Sequence, residues 1–149
     1  DERKIFFTKG VIETVKKLNW TPDIINLHGW FTSLFPLYIK KLYPDDPIFD
    51  RCKIISSIYS KAFNGNLSKS LPKKIQFDGI QDDLSSISAP DFYSLTELMI
   101  QYSDSVILSS EKTEKEITTL IKKNSRDCLS YKDSLSDEKL LDFLLKNLD

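Results

Sequence analysis

The sequence predicts an α/β fold: an open, mainly parallel sheet with flanking helices. Three observations lead there. Aliphatic and β-branched runs fall at 23–28, 53–59 and 105–109, with the composition of strands. Segments between and around them repeat their apolar residues at helical spacing, and strands alternating with amphipathic helices argue for a parallel sheet joined by right-handed crossovers. No internal repeat or heptad pattern competes with that reading.

The elements follow in order. Phe7, Val11, Thr14 and Leu18 recur at i, i+4, i+7 and i+11, predicting a helix over 4–19 that uses this face. Pro22 disfavours helical geometry just before it and ends that helix. Asp23 to His28 is the first strand, with Gly29 punctuating its end. Phe31, Leu34, Phe35, Tyr38 and Leu42 predict a second helix, capped by Thr32 or Ser33, with Pro36 tolerated in its first turn. After the Pro44-Asp45-Asp46-Pro47 turn, Lys53 to Tyr59 is the second strand. Residues 60–93 hold Gly65, Pro72, Gly79 and Pro90 among many Ser and Asp, a long excursion of the kind that is functional or mobile. Ser94 to Glu97 has capping-box spacing and starts a helix carrying Leu95, Leu98, Met99 and Tyr102. Ser105 to Ser109 is the third strand, and Ser110 caps a helix with Thr113, Ile117, Leu120 and Ile121. Cys128 to Tyr131 reads as a short fourth strand, and the last helix packs Leu141, Leu144, Leu145 and Leu148.

A chain of 149 residues fits one domain. With 21 Lys and Arg against 22 Asp and Glu, the net charge is -1, which supplies no basic field for nucleic acid. No apolar run approaches the ~20 residues that cross a bilayer. Cys52 and Cys128 are too few for a disulfide framework, and no Cys/His cluster suggests a metal, so a reduced, cytoplasmic protein is expected. The opening Asp1-Glu2-Arg3-Lys4 has no signal peptide, and a piece of something longer is expected.

His28, the single histidine, falls at the C-terminal end of a parallel strand, where open α/β sheets bind ligands. It is either a ligand contact or a histidine bonded to backbone. Trp30 is either a sugar-stacking wall or a core aromatic closing the strand–helix turn. Asp45 with Asp46, and Asp82 with Asp83, read as solvated turns without partners for a metal. The charges from Glu111 to Glu116 read as the wet face of a helix, with pairs such as Glu111–Lys115. No phosphate-cradling glycine loop or nucleophile elbow occurs.

Together these segments resemble bacterial glycogen and plant starch synthases. Residues 1–13 resemble their Glu-Arg-Phe-x-Phe-Phe-Ser-x-Ala-x-Leu-Glu segment. Trp20 to Trp30 is similar to Trp-x-Pro-Asp-[IV]-[IV]-His-x-His-Asp-Trp, and Leu34 to Lys40 to Leu-x-Pro-x-Tyr-Leu-Lys. Ser57 to Gly65 is similar to Thr-Ile-His-Asn-Leu-Ala-Tyr-Gln-Gly, and Ser103 to Ser110, ending in Glu116-Ile117, to Ala-Asp-x-Val-Thr-Thr-Val-Ser…Glu-Ile. The five segments keep the family's order over about residues 1–117.

The resemblance implies the second part of the N-terminal, Rossmann-like domain of a two-domain (GT-B) glycosyltransferase, filling residues 1–149. It implies transfer of glucose from ADP-glucose to the non-reducing end of an α-1,4-glucan, with retention and without a metal or other cofactor. His28 falls on the cleft histidine that hydrogen-bonds the donor glucose and is the expected catalytic residue, with an orienting and electrostatic role. His28, Gly29, Trp30, Tyr59, Ser60 and Asn64 are the expected substrate-binding positions. Departures accompany the matches. The Asp before Trp is Gly29, the earlier His is Asn26, the His-Asn pair is Tyr59-Ser60, the following Gln is Asn64, and Lys-x-Gly is Glu97-Leu98-Met99. The family's Lys-x-Gly-Gly-Leu loop and its C-terminal domain lie outside these residues. The expectation is therefore a fragment inert by itself, or alternatively a non-catalytic relative binding glucan or regulating a partner through the remnant cleft.

Overall fold

The computed structural model describes residues 1–148. In chain order it contains α1 (Glu2–Lys17), β1 (Ile24–His28), a 3-10 turn (Trp30–Thr32), α2 (Phe35–Leu42), β2 (Lys53–Ile58), α3 (Leu71–Phe77), a second 3-10 turn (Ser85–Ile87), α4 (Phe92–Tyr102), β3 (Ser105–Leu108), α5 (Lys115–Lys123), β4 (Asp127–Leu129), α6 (Tyr131–Ser134) and α7 (Asp137–Lys146). The strands form one sheet in the order β1-β2-β3-β4, and every pairing is parallel, with Ile25 opposite Ile54, Ile55 opposite Ser105 and Val106 opposite Cys128. The expected α/β architecture is the observed one.

Side chains alternate across a strand, and β2, buried on both faces after Lys53, shows what each face carries. Ile54 packs with Leu34, which precedes α2, Leu37 of α2, and Leu95, Leu98 and Met99 of α4. Ile58 and Val106 meet Phe92 and Ile100 of α4 and Ile117 and Ile121 of α5. On the opposite face Ile55 and Ile107 pack against Phe143, Leu140 and Leu144 of α7. The helices that join consecutive strands therefore share one face, and α7 covers part of the other.

Several elements differ from the sequence reading. In α1 the predicted stripe of Phe7, Val11, Thr14 and Leu18 is exposed, while Lys4, Thr8 and Ile12 are buried with Ile5 and Val15 packed beside them. The helix is apolar on two sides, so periodicity alone does not choose the inward one. The second helix starts at Phe35 because a 3-10 turn intervenes; Thr32 Oγ1 donates back to Gly29 O at 2.9 Å, so neither Thr32 nor Ser33 caps it, and Pro36 sits in the first turn as expected. The excursion 60–93 contains α3 and a 3-10 turn, with Leu71, Ile75, Ile80, Leu84 and Ile87 all in the main core. α5 begins at Lys115 with no side-chain cap; Ser110 Oγ instead accepts from Ser60 N–H at 2.9 Å. Glu111 precedes that helix, so the predicted Glu111–Lys115 helical pair does not form. In α7, Leu141 and Leu145 are exposed, as is Leu148 just beyond it, and Phe143 is the buried anchor.

The cap of α4 lies three residues before Ser94. It is Asp91, whose carboxylate accepts from Ser94 N–H at 2.7 Å while Ser94 Oγ accepts from Asp91 N–H at 2.9 Å. Ser94 is thus the N3 member of the box, and both orphan donors are satisfied. Replacing Asp91 by Ala is expected to cost about 1 kcal/mol, read as a lowered urea midpoint at unchanged slope.

Candidate functional site at the strand ends

Parallel pairing places the C-terminal ends of β1 and β2 side by side, with His28 opposite Ser57. The chain leaves β1 through His28-Gly29-Trp30 and β2 through Tyr59-Ser60. His28 Nδ1 lies 3.0 Å from the Tyr59 hydroxyl, both residues being exposed. That contact occupies Nδ1 and leaves the other ring nitrogen, Nε2, as the group for a ligand. One turn of sheet further in, Ser57 Oγ donates to Asn26 Oδ1 at 2.9 Å.

Gly29 makes this arrangement possible. Its N–H donates to Ser57 O at 3.0 Å, extending the β1–β2 ladder one residue, and its backbone stands at φ 74, ψ 174. That region is open essentially to glycine alone. A Cβ here would meet only Tyr59 Cδ2 at 3.8 Å, an ordinary contact, so the restriction is conformational and not steric crowding from neighbours. Gly29→Ala is expected to cost about 1–3 kcal/mol and to disturb the His28–Tyr59 pair, both measurable by thermal unfolding and by the imidazole signals of His28.

Trp30 is half-buried. Its ring packs on Phe63 at 4.7 Å between centroids and edge-on to Phe31 at 5.8 Å, and Phe63 continues to Phe92. Gly29, Trp30, Tyr59 and Ser60 come together around a pocket of about 180 Å³ that is completed by Ile58, Phe92, Thr96 and Met99. His28 is tied to this group through Tyr59 and itself borders a second groove of about 420 Å³ along β1 under α1. Asn64 is exposed and is not among the residues lining either cavity.

Sequence reasoning missed Phe92, Thr96 and Lys4 as site residues. Met99 was visible only as a departure from the glycine of a motif; here its side chain is buried and lines the pocket. Glu97, the other departure, turns to α5 and pairs with Lys123 at 2.5 Å. Lys4 gave no signal because a lysine on an amphipathic helix reads as solvent-facing. It is 1% exposed, with Nζ donating to Trp30 O at 2.6 Å and Ser33 Oγ at 2.5 Å.

The chemistry available is hydrogen bonding and stacking. The Cys52 and Cys128 thiols are pushed up to about 11 by burial and are poor nucleophiles. The described residues hold no cluster of three or more His, Cys, Asp or Glu able to bind a metal. Asp46 instead accepts from Ile48 N–H and pairs with Lys16, which holds its carboxyl below the usual range. Asp82 is likewise lowered by Tyr102 and Lys41.

Residues 1–129 match the family model described as starch synthase catalytic domain. The chain belongs to that family. A glycogen synthase from Clostridium perfringens is 35% identical over 119 residues, which are 79% of this chain and 25% of the relative. One from Thermotoga maritima is 32% identical over 121 residues, 79% of this chain and 24% of the relative. This starch synthase family member thus spans about a quarter of the length of the curated relatives it matches. Its fold is similar to the catalytic domain of starch synthase IV from Arabidopsis thaliana, bound to ADP and acarbose, with a TM-score of 0.63 and 19% identity over 89% of this chain and 30% of that one. Helices α6 and α7 lie past the matched residues. No helix of the described residues is long and apolar enough to cross a membrane.

Proposed function

We propose that this chain is the C-terminal portion of the N-terminal domain of a GT-B glucosyltransferase. That enzyme transfers glucose from ADP-glucose to the non-reducing end of an α-1,4-glucan with retention, and the chain alone is inert. The observation that carries the reading is the His28–Tyr59 pair at the ends of adjacent parallel strands, the place where open α/β sheets bind ligands, in a chain of the starch synthase family. The nucleotide and oligosaccharide in the Arabidopsis neighbour support a nucleotide sugar and a glucan as the two substrates. Two unpaired thiols suit a reducing compartment such as the cytoplasm.

In this reading His28 presents Nε2 to a hydroxyl of the donor glucose and fixes its orientation, while Tyr59 sets the imidazole's rotation and tautomer through Nδ1. Trp30 and Tyr59 form the apolar wall against which a sugar ring lies, Gly29 and Ser60 bound its floor, and Asn64 joins from the loop on binding. His28 forms no covalent bond to sugar; its contribution is a dipole aimed at charge developing near the reacting carbon. The other domain supplies the remaining contacts to the nucleotide.

A second reading is favoured by Met99 and Gly29. A buried thioether lines the pocket where the family motif has glycine, and the backbone of Gly29 excludes the motif's aspartate from the same conformation. Both suit a relative that binds glucan without turnover. The full-length protein incubated with radiolabelled ADP-glucose and glycogen tests the two readings. Label in the polymer is expected from the enzyme; well-folded protein that incorporates none but retains maltoheptaose establishes the second reading, and one that does neither overturns both.

A further inference from the structure

Behind the Trp30 wall lies a group that the proposed chemistry does not use. Lys4, in the first turn of α1, points inward to the Trp30–Thr32 turn and is sealed from solvent. Its amine has two close acceptors, Trp30 O and Ser33 Oγ, and the Trp30 ring centroid stands 5.1 Å away. Among the described residues no carboxylate pairs with it: the ion pairs of Asp1 and Glu2 both go to Lys74, at 2.8 and 2.9 Å. Two acceptors match the two protons of a neutral amine. A third proton would find only the indole face, and a positive charge would sit at the positive end of the helix dipole beside Arg3.

We propose that Lys4 is the positioning residue for Trp30: its amine clamps the turn that carries the indole, and proton uptake by that amine loosens the wall of the cleft. The mechanism is a mismatch between a charged group that seeks water and a site with two acceptors and no anion. Burial lowers the amine from 10.5 to about 7, so the two forms exchange near neutrality. The other groups that face this corner are accounted for. On its own helix they are Asp1, Glu2 and Arg3. Lys74 of α3 pairs with Asp1 and Glu2 there, and His28 is the titratable residue nearest to Trp30 in sequence.

The test uses the full-length protein labelled with 5-fluorotryptophan and followed by fluorine NMR, with the Trp30 resonance assigned by its absence in Trp30→Phe. Between pH 5.5 and 9 that resonance is expected to titrate with one midpoint near 7, to do so equally in His28→Gln, and to stay flat in Lys4→Met. A Trp30 signal that is flat in the wild type, flat in His28→Gln, or unchanged in its titration in Lys4→Met overturns the proposal. Should Lys4→Met not fold, the His28→Gln titration decides alone. The consequence for sugar rests on the proposed function. With only the neutral form competent, maltoheptaose affinity is expected to fall about tenfold from pH 8 to pH 6. Wild-type protein that binds no maltoheptaose at either pH counts against the glucan reading while leaving the Lys4–Trp30 coupling to the NMR result.

Discussion

Wild-type protein is expected to gain stability over its Lys4→Met variant by roughly 1.4 kcal/mol for each pH unit between 7 and 9. Lys4 is the most fully buried charged side chain of the fold, and its amine falls from 10.5 to about 7 through desolvation. In that window the unfolded chain holds the proton and the folded chain does not, so folding releases it and rising pH favours the folded state. Below 7 both states are protonated and the penalty is constant; above 10.5 neither is, and the penalty is gone. The whole span is worth roughly 5 kcal/mol, a large share of a domain's total stability. Comparison with the variant cancels the opposite trend of Cys52, Cys128 and Tyr43, which burial pushes up to about 11, 11 and 12, and which lose stability as pH rises past their unfolded values. Urea unfolding at pH 7, 8 and 9 gives the two curves. Parallel curves would mean that Lys4 stays charged in the folded protein.

His28→Ala is expected to lower glucosyl transfer by the full-length enzyme about 10²-fold, the scale of losing one preorganised polar contact to a developing charge. The substitution leaves the strand ladder intact, because Gly29 N–H, not the His28 side chain, bonds Ser57 O. His28 is exposed, so no core packing is lost. Tyr59→Phe keeps the ring beside Gly29 and removes only the hydroxyl at 3.0 Å from Nδ1. A net loss of about 1 kcal/mol, near a factor of five, is expected for it. Equal losses in the two variants would place the chemistry on Tyr59; an unaffected His28→Ala enzyme would place it elsewhere.

The fold was legible where a segment has one apolar register. β2 places Ile54 and Ile58 on one face and Ile55 on the other with only small serines between, the mark of a strand buried on both sides, and Asp23 to His28, ended by Gly29, reads as a strand beside it. α1 misleads because Phe7 and Val11 on one side are as apolar as Ile5 and Ile12 on the other, and the sheet chooses between them. α3 was hidden by its length and its proline at 72, and α4 by the choice between Asp91 and Ser94, two residues able to cap. At the site, His28 and Tyr59 could be paired from strand order, since ends of adjacent parallel strands meet. Lys4 and Met99 could not. Their importance comes from elements distant in sequence folding over them, and neither residue type advertises a buried polar or ligand-facing place.

The most direct test of the account is an imidazole nitrogen–proton correlation spectrum of the full-length protein, with His28 assigned by its loss in His28→Gln, titrated with ADP-glucose and then maltoheptaose. Saturable displacement of the His28 Nε2 signal by ADP-glucose is expected, with the Tyr59-bound Nδ1 moving less. An unmoved His28 in a protein that demonstrably binds the nucleotide sugar would contradict it.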